Sequence, residues 1–152
     1  MIIKRIIENQ SHNDFYYLEY DGPDPGYQSL CINYLADVLL TIEKITAFKD
    51  SLKNELIFSL NRSIKFLSYF IHPDGSFGGI YGSRNTRFFS PGGLEYISRF
   101  NLESCALTNR IKESLKSNKV VSLSSLDFGN LVPFFNSYCW AATVLDENIR
   151  GN

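Results

Sequence analysis

The chain has 152 residues and a formal net charge of −1 at pH 7, and aromatic residues make up 14% of its composition. This length allows one domain with a buried hydrophobic core, and the weak charge provides no basic field for a nucleic-acid backbone. The aromatic content favours either an aromatic-rich core or surfaces that stack on ring-shaped ligands. We therefore expect a single domain over residues 1–152 that does not bind nucleic acid.

The cysteines and histidines give no pattern of a metal site or a disulfide framework. Cys31, Cys105 and Cys139 are far apart and form no C-x-x-C pair, and His12 and His72 share no ligand spacing. We expect reduced cysteines buried on apolar faces, and no cofactor. No secretory signal is visible, and no apolar run approaches the ~20 residues of a membrane span. These features predict a soluble, cytoplasmic protein without a membrane partner.

Residues 1–26 predict an irregular N-terminal segment that contains one short helical stretch. Isoleucines at helical spacing favour a helical fragment within residues 1–9, and the aromatic residues 15–20 could be extended. Residues 21–26, Asp-Gly-Pro-Asp-Pro-Gly, should break any helix, because proline fixes φ and glycine permits positive φ.

Two long helices are predicted next. Residues 27–46 and 52–71 carry apolar side chains at intervals of three and four, with Asp50 or Ser51 as the N-cap of the second helix. Pro73 should stop that helix, since the residue before a proline disfavours the helical region. The connection is only a few residues long, so the two helices should form an antiparallel hairpin.

The rest of the chain predicts further helices, which makes the fold all-α. Ser90 and Pro91 are typical of an N-cap and a first helical residue. Apolar spacing then marks a helix over residues 105–115. The last, aromatic helix should begin near residues 130–132, because Pro133 is tolerated close to a helix start.

Residues 72–95, which follow the predicted hairpin, hold six of the ten glycines together with a cluster of polar side chains. A loop of this composition between helices is a candidate site. The side chains in it that could bind or react are His72, Asp74, Tyr81, Arg84, Asn85, Arg87 and Glu95.

Two turns carry a resemblance to a known family. Asp-Gly-Pro-Asp-Pro-Gly-Tyr at residues 21–27 leads into one long helix, and Asp-Gly-Ser-Phe-Gly-Gly at residues 74–79 follows the next. Together with the helix hairpins, this arrangement over roughly residues 15–145 resembles the toroid domain of heparinase II/III-like polysaccharide lyases. The second turn is also similar to the Asp-Gly-Ser-Trp-Gly turns of terpene cyclases and prenyltransferases. The resemblance implies consecutive antiparallel helix hairpins that form a partial α/α toroid.

The predicted helices are too few for a closed toroid. Each hairpin of such an array buries its apolar face against its neighbours, so a partial array leaves its ends uncovered. We therefore expect either a piece of a longer protein with further domains, or a homo-oligomer that covers those ends.

The resemblance also implies lyase-type β-elimination on an acidic polysaccharide. This reaction needs a group that neutralises the substrate carboxylate, a base that takes the proton of the α-carbon, and an acid for the leaving oxygen. The resemblance implies Asn85, with Arg84, as the neutralising group, and Tyr81 or His72 for the proton transfers. Arg87 would bind an acidic sugar, because its planar guanidinium suits a carboxylate or sulfate.

Three residues near predicted helix starts are further candidates for substrate binding: Asp24, Tyr27 and Glu95. Each also has a structural explanation, as a turn residue, a packed aromatic residue or a carboxylate at a helix N-terminus. His72 could equally stabilise a helix C-terminus.

Three functions follow from these features. The first is a toroid domain that binds or processes an acidic polysaccharide. The second is a non-catalytic interaction or oligomerisation domain, in which the hairpins hold a partner or another copy of the chain. The third is an isoprenoid cyclase-like toroid, against which the missing Asp-x-Asp-Asp motif counts. Only processing of the polysaccharide or a cyclase activity would make the chain an enzyme, and the sequence leaves this open.

Overall fold

The computed structural model describes residues 2–19, 22–45, 50–74, 77, 90–118 and 128–150, with the backbone alone at residues 130, 145 and 147–150. The six α-helices in these ranges are α1 (Ile2–Glu8), α2 (Pro25–Lys44), α3 (Asp50–Ser68), α4 (Pro91–Ile97), α5 (Leu102–Lys116) and α6 (Phe128–Arg150). Within the described ranges there is no β-strand, and strand-like pairing is limited to isolated bridges. The all-α prediction is confirmed.

The first long helix begins at Pro25, slightly earlier than the apolar pattern predicts. The carboxylate of Asp24 accepts a hydrogen bond from the backbone N–H of Tyr27 at 3.0 Å, which caps the helix. Proline suits the first helical position because the missing N–H would have no partner there. The short N-terminal helix α1 lies where the isoleucine spacing places it.

The second long helix α3 ends at Ser68, before the predicted end at Ile71, which instead pairs with Phe77 in an isolated bridge. Near the start of α3, the Nζ atom of Lys53 lies 3.2 Å from Oε1 of Glu43, close to the end of α2. This contact across a short connection fits the predicted antiparallel hairpin.

The last helix corrects a prediction. It begins at Phe128, earlier than residues 130–132, and Pro133 lies inside it. Proline cannot donate the backbone hydrogen bond of an interior position, but the neighbouring helical bonds continue the helix through this one gap.

Helix α5 begins with a side-chain cap, since Oδ1 of Asn101 accepts a hydrogen bond from the backbone N–H of Ser104 at 2.8 Å.

The helices pack in two layers that α4 joins. One layer contains α2, α4 and α6; the other contains α3 and α5, which contact each other. Hydrogen bonds join Asn33 to Gly93 and Glu43 to Tyr96, so α2 and α4 run in the same direction. All seven residues of α4 are buried, which places this short helix at the centre of the fold.

The core follows the predicted apolar stripes of α2 and α3. Its largest cluster joins these helices to α4 and includes Leu39, Leu56, Leu60, Ile64, Leu94 and Ile97, all at 0% exposure.

The prediction of buried cysteines is wrong for Cys139, which is exposed because it lies on the outer side of α6. Cys31 and Cys105 are half-buried. All three thiols are free, as predicted. In the described part of the chain, no helix has both the length and the apolar character needed to cross a membrane.

Candidate functional site

Four predicted site residues, Tyr81, Arg84, Asn85 and Arg87, lie outside the described residues, and their roles stay predictions. Ser90, where the glycine-rich segment meets α4, is buried beside α2. Its backbone N–H lies 3.4 Å from the hydroxyl of Ser29.

Two glycines of the candidate loop are packing residues of α4. A Cβ atom on Gly93 would lie 2.6 Å from the Cα atom of Asn33, and a Cβ atom on Gly92 would overlap the ring of Trp140. Because α4 touches α2 at one glycine and α6 at the other, the Gly92–Gly93 pair lets three helices meet closely.

The N-terminus of α4 is capped by side chains from the neighbouring helices. Ser90 occupies the N-cap position but makes no side-chain bond to the helix. Instead, the N–H of Gly92 donates to the hydroxyl of Ser137 at 3.0 Å, and the N–H of Gly93 donates to Oδ1 of Asn33 at 3.0 Å. The Ser137 hydroxyl in turn donates to the same Oδ1 atom at 2.9 Å. These bonds satisfy two helix N–H groups and tie α4 to α2 and α6.

The described candidates do not converge on one site. Asp24 is buried and caps α2, which gives its carboxylate a structural role. His72 is exposed beyond the end of α3. Glu95 is buried on α4, and only Tyr27 lines the largest described cavity.

Glu95 lines a small cavity between α4, α5 and α6. Its Oε1 atom lies 2.6 Å from Nζ of Lys112, and both residues line a cavity of ≈ 140 Å³ with Thr108 and Tyr138. Burial, with a smaller contribution from the Glu95 charge, raises the pKa of Tyr138 to about 12. Tyr138 is therefore protonated at neutral pH, so Glu95 and Lys112 are the charged groups in the described lining of this cavity.

The largest described cavity has a volume of ≈ 320 Å³ and lies between α1, residues 17–19 and the first turns of α2. We call it the tyrosine cleft. Its polar and aromatic lining consists of Tyr17, Tyr27, Tyr34, Asn9, Glu19 and Gln28. Its apolar lining consists of Ile6, Leu18, Leu30 and Cys31.

Gln28 is the most buried polar side chain of the tyrosine cleft, at 2% exposure. Its Oε1 atom accepts from the backbone N–H of Tyr17 at 2.9 Å, which fixes the orientation of the amide. Its Nε2 atom is buried and has no hydrogen-bond acceptor among the described residues. An amide N–H without an acceptor is unfavourable in a protein interior.

The wall behind Gln28 is held by a buried polar network. The hydroxyl of Tyr17 lies 2.7 Å from the hydroxyl of Ser59, and Gln10 donates to Ser63 at 2.8 Å. Burial raises the pKa of Tyr17 to about 12 and that of Cys31 to about 12. Both groups are neutral at pH 7, so the carboxylate of Glu19 is the only acidic charge in the described lining of the cleft.

A second cavity of ≈ 280 Å³ adjoins the first, and both are lined by Leu30 and Tyr34. We call it the tryptophan cleft. Besides these two residues, its lining includes Asn33, Asp37, Ser90, Asn136, Ser137 and Trp140. The ring of Trp140 stacks on that of Tyr96 with centroids 6.1 Å apart, which holds it against α4.

Sequence reasoning identified Tyr27 but missed Tyr17, Tyr34 and Trp140. Tyr27, Cys31 and Tyr34 are four and then three residues apart on α2, so helical spacing could have grouped them. Tyr17 and Trp140 join the clefts only through tertiary contacts.

No family model, curated protein or solved structure matches this chain. Within the described ranges, no group of three or more histidine, cysteine, aspartate or glutamate residues is placed to hold a metal ion.

Proposed function

We propose that this chain is a carbohydrate-binding helical domain, with the tyrosine cleft as its binding site. The observation that carries the proposal is the buried Nε2 group of Gln28, which has no acceptor among the described residues and belongs to a cleft lined by three tyrosines. An unsatisfied buried donor costs about 1–3 kcal/mol. Because the Nε2 atom is buried, a ligand oxygen removes that cost only if the wall of the cleft shifts on binding.

A sugar matches both parts of this lining. One face of a sugar ring presents C–H groups, and its rim carries hydroxyls that both donate and accept. Tyrosine rings offer an apolar face and a polar tip, while Asn9 and Glu19 add an amide and a carboxylate to the lining. A concave site with a mainly apolar wall and a few polar groups is typical of small-molecule binding.

The charge of the tyrosine cleft favours a neutral sugar there. Its described lining contains Glu19 and neither lysine nor arginine, so a sugar carboxylate would meet a like charge. The proposed binding of an acidic polysaccharide, and its processing by β-elimination, therefore depend on Tyr81, Arg84, Asn85 and Arg87.

The order of the helices supports a partial α/α toroid. Two hairpins, α2–α3 and α4–α5, are followed by α6. The first helix of each hairpin, α2 or α4, lies in one layer together with α6. The second helix of each hairpin, α3 or α5, lies in the other layer. An array of hairpins that adds one helix to each layer per repeat is the plan of an α/α toroid.

Binding is tested by calorimetric titration of the whole chain with a panel of neutral sugars and with uronic-acid polysaccharides. We expect a neutral sugar to bind and Tyr27→Ala to weaken its binding at least about tenfold, which corresponds to 1.4 kcal/mol. Tyr69→Ala is the matched control, because Tyr69 is 74% exposed at the end of α3 and does not line the cleft.

Gln28→Glu tests the donor directly, since it keeps an oxygen for the Tyr17 N–H and replaces Nε2 by an acceptor. The buried carboxylate should also lower the melting temperature, so sugar binding is measured well below the melting transition of the variant, where it should be weaker than in the parent chain. Absence of binding by every sugar in the panel would overturn the proposal. Absorbance of an unsaturated product after incubation with a uronic-acid polysaccharide would instead support lyase activity.

Self-association is a second candidate function, favoured by the outer face of α6. Phe128, Val132 and Phe135 are 81%, 47% and 46% exposed and follow one stripe of the helix. No residue from 128 to 145 carries a charged side chain. A twofold contact sets the same residues opposite each other, so an uncharged face can pack on a second copy without repulsion.

Sedimentation velocity over a range of concentrations tests this candidate. We expect the parent chain to form a dimer and Phe135→Glu to be a monomer. In a twofold dimer of the variant, the two introduced carboxylates would be buried close to each other, which is unfavourable. Phe58→Glu is the control, since Phe58 is 63% exposed on α3 and lies away from α6. A monomer at every concentration would refute self-association.

A further inference from the structure

The tyrosine cleft and the tryptophan cleft lie along the same helix. Tyr27 lines the first, Asp37 lines the second, and Tyr34 lines both. Tyr27 and Asp37 are ten residues apart, which corresponds to about 15 Å along an α-helix. This length exceeds that of a single sugar ring.

We propose that the two clefts are consecutive subsites of one groove and that the ligand is a neutral oligosaccharide, with Tyr34 between its sugar units. This inference rests on the proposed carbohydrate-binding function and deepens it. It adds a second recognition site and a ligand length of at least two sugar units for full affinity.

Tyr34 is suited to a position between two sugar units. It is 59% exposed on α2 and lines both cavities. Leu30, one helical turn earlier, also lines both clefts and forms the shared apolar floor. No other described residue lines both cavities.

The polar groups of the tryptophan cleft divide into two sets. Asn33 and Ser137 cap the N-terminus of α4, so their side chains already have structural partners. Asp37 and Asn136 are exposed on α2 and α6 and face the same cavity. A carboxylate and an amide, beside the indole of Trp140, can accept and donate hydrogen bonds to sugar hydroxyls.

The tryptophan cleft, like the tyrosine cleft, carries a single acidic charge in its described lining. Asp37 is the one charged residue in its described lining, as Glu19 is in the tyrosine cleft. Both subsites therefore disfavour an anionic sugar, and the groove fits a neutral chain.

The test is calorimetric titration of the whole chain with glucose, mannose and galactose and with neutral oligomers of each, in order of increasing length. We expect affinity to rise at least about tenfold from the monosaccharide to an oligomer that spans both clefts. Asp37→Asn and Asn136→Ala should lower oligomer affinity about fivefold and leave monosaccharide affinity unchanged. Tyr27→Ala should weaken the binding of both.

Two results are distinguishable failures. Monosaccharide binding that does not strengthen with chain length, or oligomer binding that the Asp37 and Asn136 variants leave unchanged, would overturn the two-subsite groove and leave the tyrosine cleft in place. No binding of any sugar would overturn the carbohydrate function together with the groove. Asp37 and Asn136 are exposed, so an unchanged melting temperature should accompany their substitution.

Discussion

Gly92 and Gly93 stand where α4 comes closest to two neighbouring helices. The Cβ position of Gly93 lies 2.6 Å from Cα of Asn33 and 2.8 Å from the carbonyl oxygen of Ile32, and both atoms belong to the α2 backbone. A glycine inside a helix costs about 0.5–1 kcal/mol relative to alanine. At this position the close approach of two helices offsets that cost, because no larger residue fits.

We expect Gly93→Ala to destabilise the fold by about 1–3 kcal/mol, as overpacking of a dense core does. Gly22→Ala is the matched control, since no atom of the described residues, apart from its chain neighbours, lies within 4 Å of the Cβ position of Gly22. Its effect should stay within about 0.5 kcal/mol. Urea unfolding of both variants measures the difference, and equal stabilities would contradict the packing role of Gly93.

At the scale of elements, α4 depends on its neighbours for its N-terminal cap. A short helix gains little from its own propensity, so most of its stability comes from tertiary packing. The side chains of Asn33 and Ser137 supply the acceptors that the N-cap residue Ser90 does not. The start of α4 is therefore coupled to the positions of α2 and α6.

Asn33→Ala should destabilise the chain by about 1–2 kcal/mol, because it leaves the N–H of Gly93 without its acceptor in the interior. Ser90→Ala should cost less, although Ser90 stands at the formal N-cap position. Thermal unfolding of the two variants compares them. A larger loss of stability for Ser90→Ala than for Asn33→Ala would show that the N-cap residue itself, and not the neighbouring helices, caps α4.

A second link between elements makes stability depend on pH. The carboxylate of Glu43 on α2 accepts a hydrogen bond from Tyr96 and pairs with Arg99 and Lys53, both at 3.2 Å. Burial acts to raise the pKa of Glu43, but hydrogen bonds from Tyr96, Arg99 and Lys53 outweigh it and hold the pKa below its usual value.

A lowered carboxyl pKa stabilises the fold above the ordinary carboxyl value, and this stabilisation is lost as the pH falls through the lowered value. Glu43→Gln should therefore be less stable than the parent chain at pH 7. The difference should shrink as the pH falls below about 4. Urea unfolding at both pH values checks this, and a difference that grows at low pH would contradict it.

At the scale of the whole molecule, α4 contacts three of the other helices and connects the two layers. Trp140 on α6, the only tryptophan of the chain, packs against Tyr96 and Gly92 of α4. Its fluorescence therefore reports on the docking of α6, whereas far-ultraviolet circular dichroism reports on all helices. Shared packing on α4 should make the helices unfold together.

We expect a single two-state transition in urea, with the same midpoint by tryptophan fluorescence and by circular dichroism. An earlier fluorescence midpoint would show that α6 separates first and that the two layers do not form one cooperative unit. Gly93→Ala should lower both midpoints together, since it disturbs the helix that contacts α2, α5 and α6.

Much of the helical framework was predictable because its signals are local. The stripes of α2 and α3 and the Ser90–Pro91 start of α4 each depend on residues close together in the chain. Proline geometry and apolar periodicity act over one or two helical turns. The start of α6 was predicted too late, because a helix can absorb one proline when its other bonds remain.

The glycine-rich segment shows a feature that local sequence patterns could not predict, namely why its last two glycines are needed. Its composition marked a candidate loop, yet Gly92 and Gly93 are glycines because α2 and α6 approach α4 there. Likewise, Glu95 pairs with Lys112, and Tyr17 contacts Ser59, although each pair is far apart in the chain.

The sequence alone determined an all-α chain of near-neutral charge with hairpin helices, since composition and helical periodicity follow from short-range rules. The clefts exist only where packing brings the aromatic residues of α2, α6 and the N-terminal segment together, because a cavity is formed by long-range contacts that no local pattern encodes.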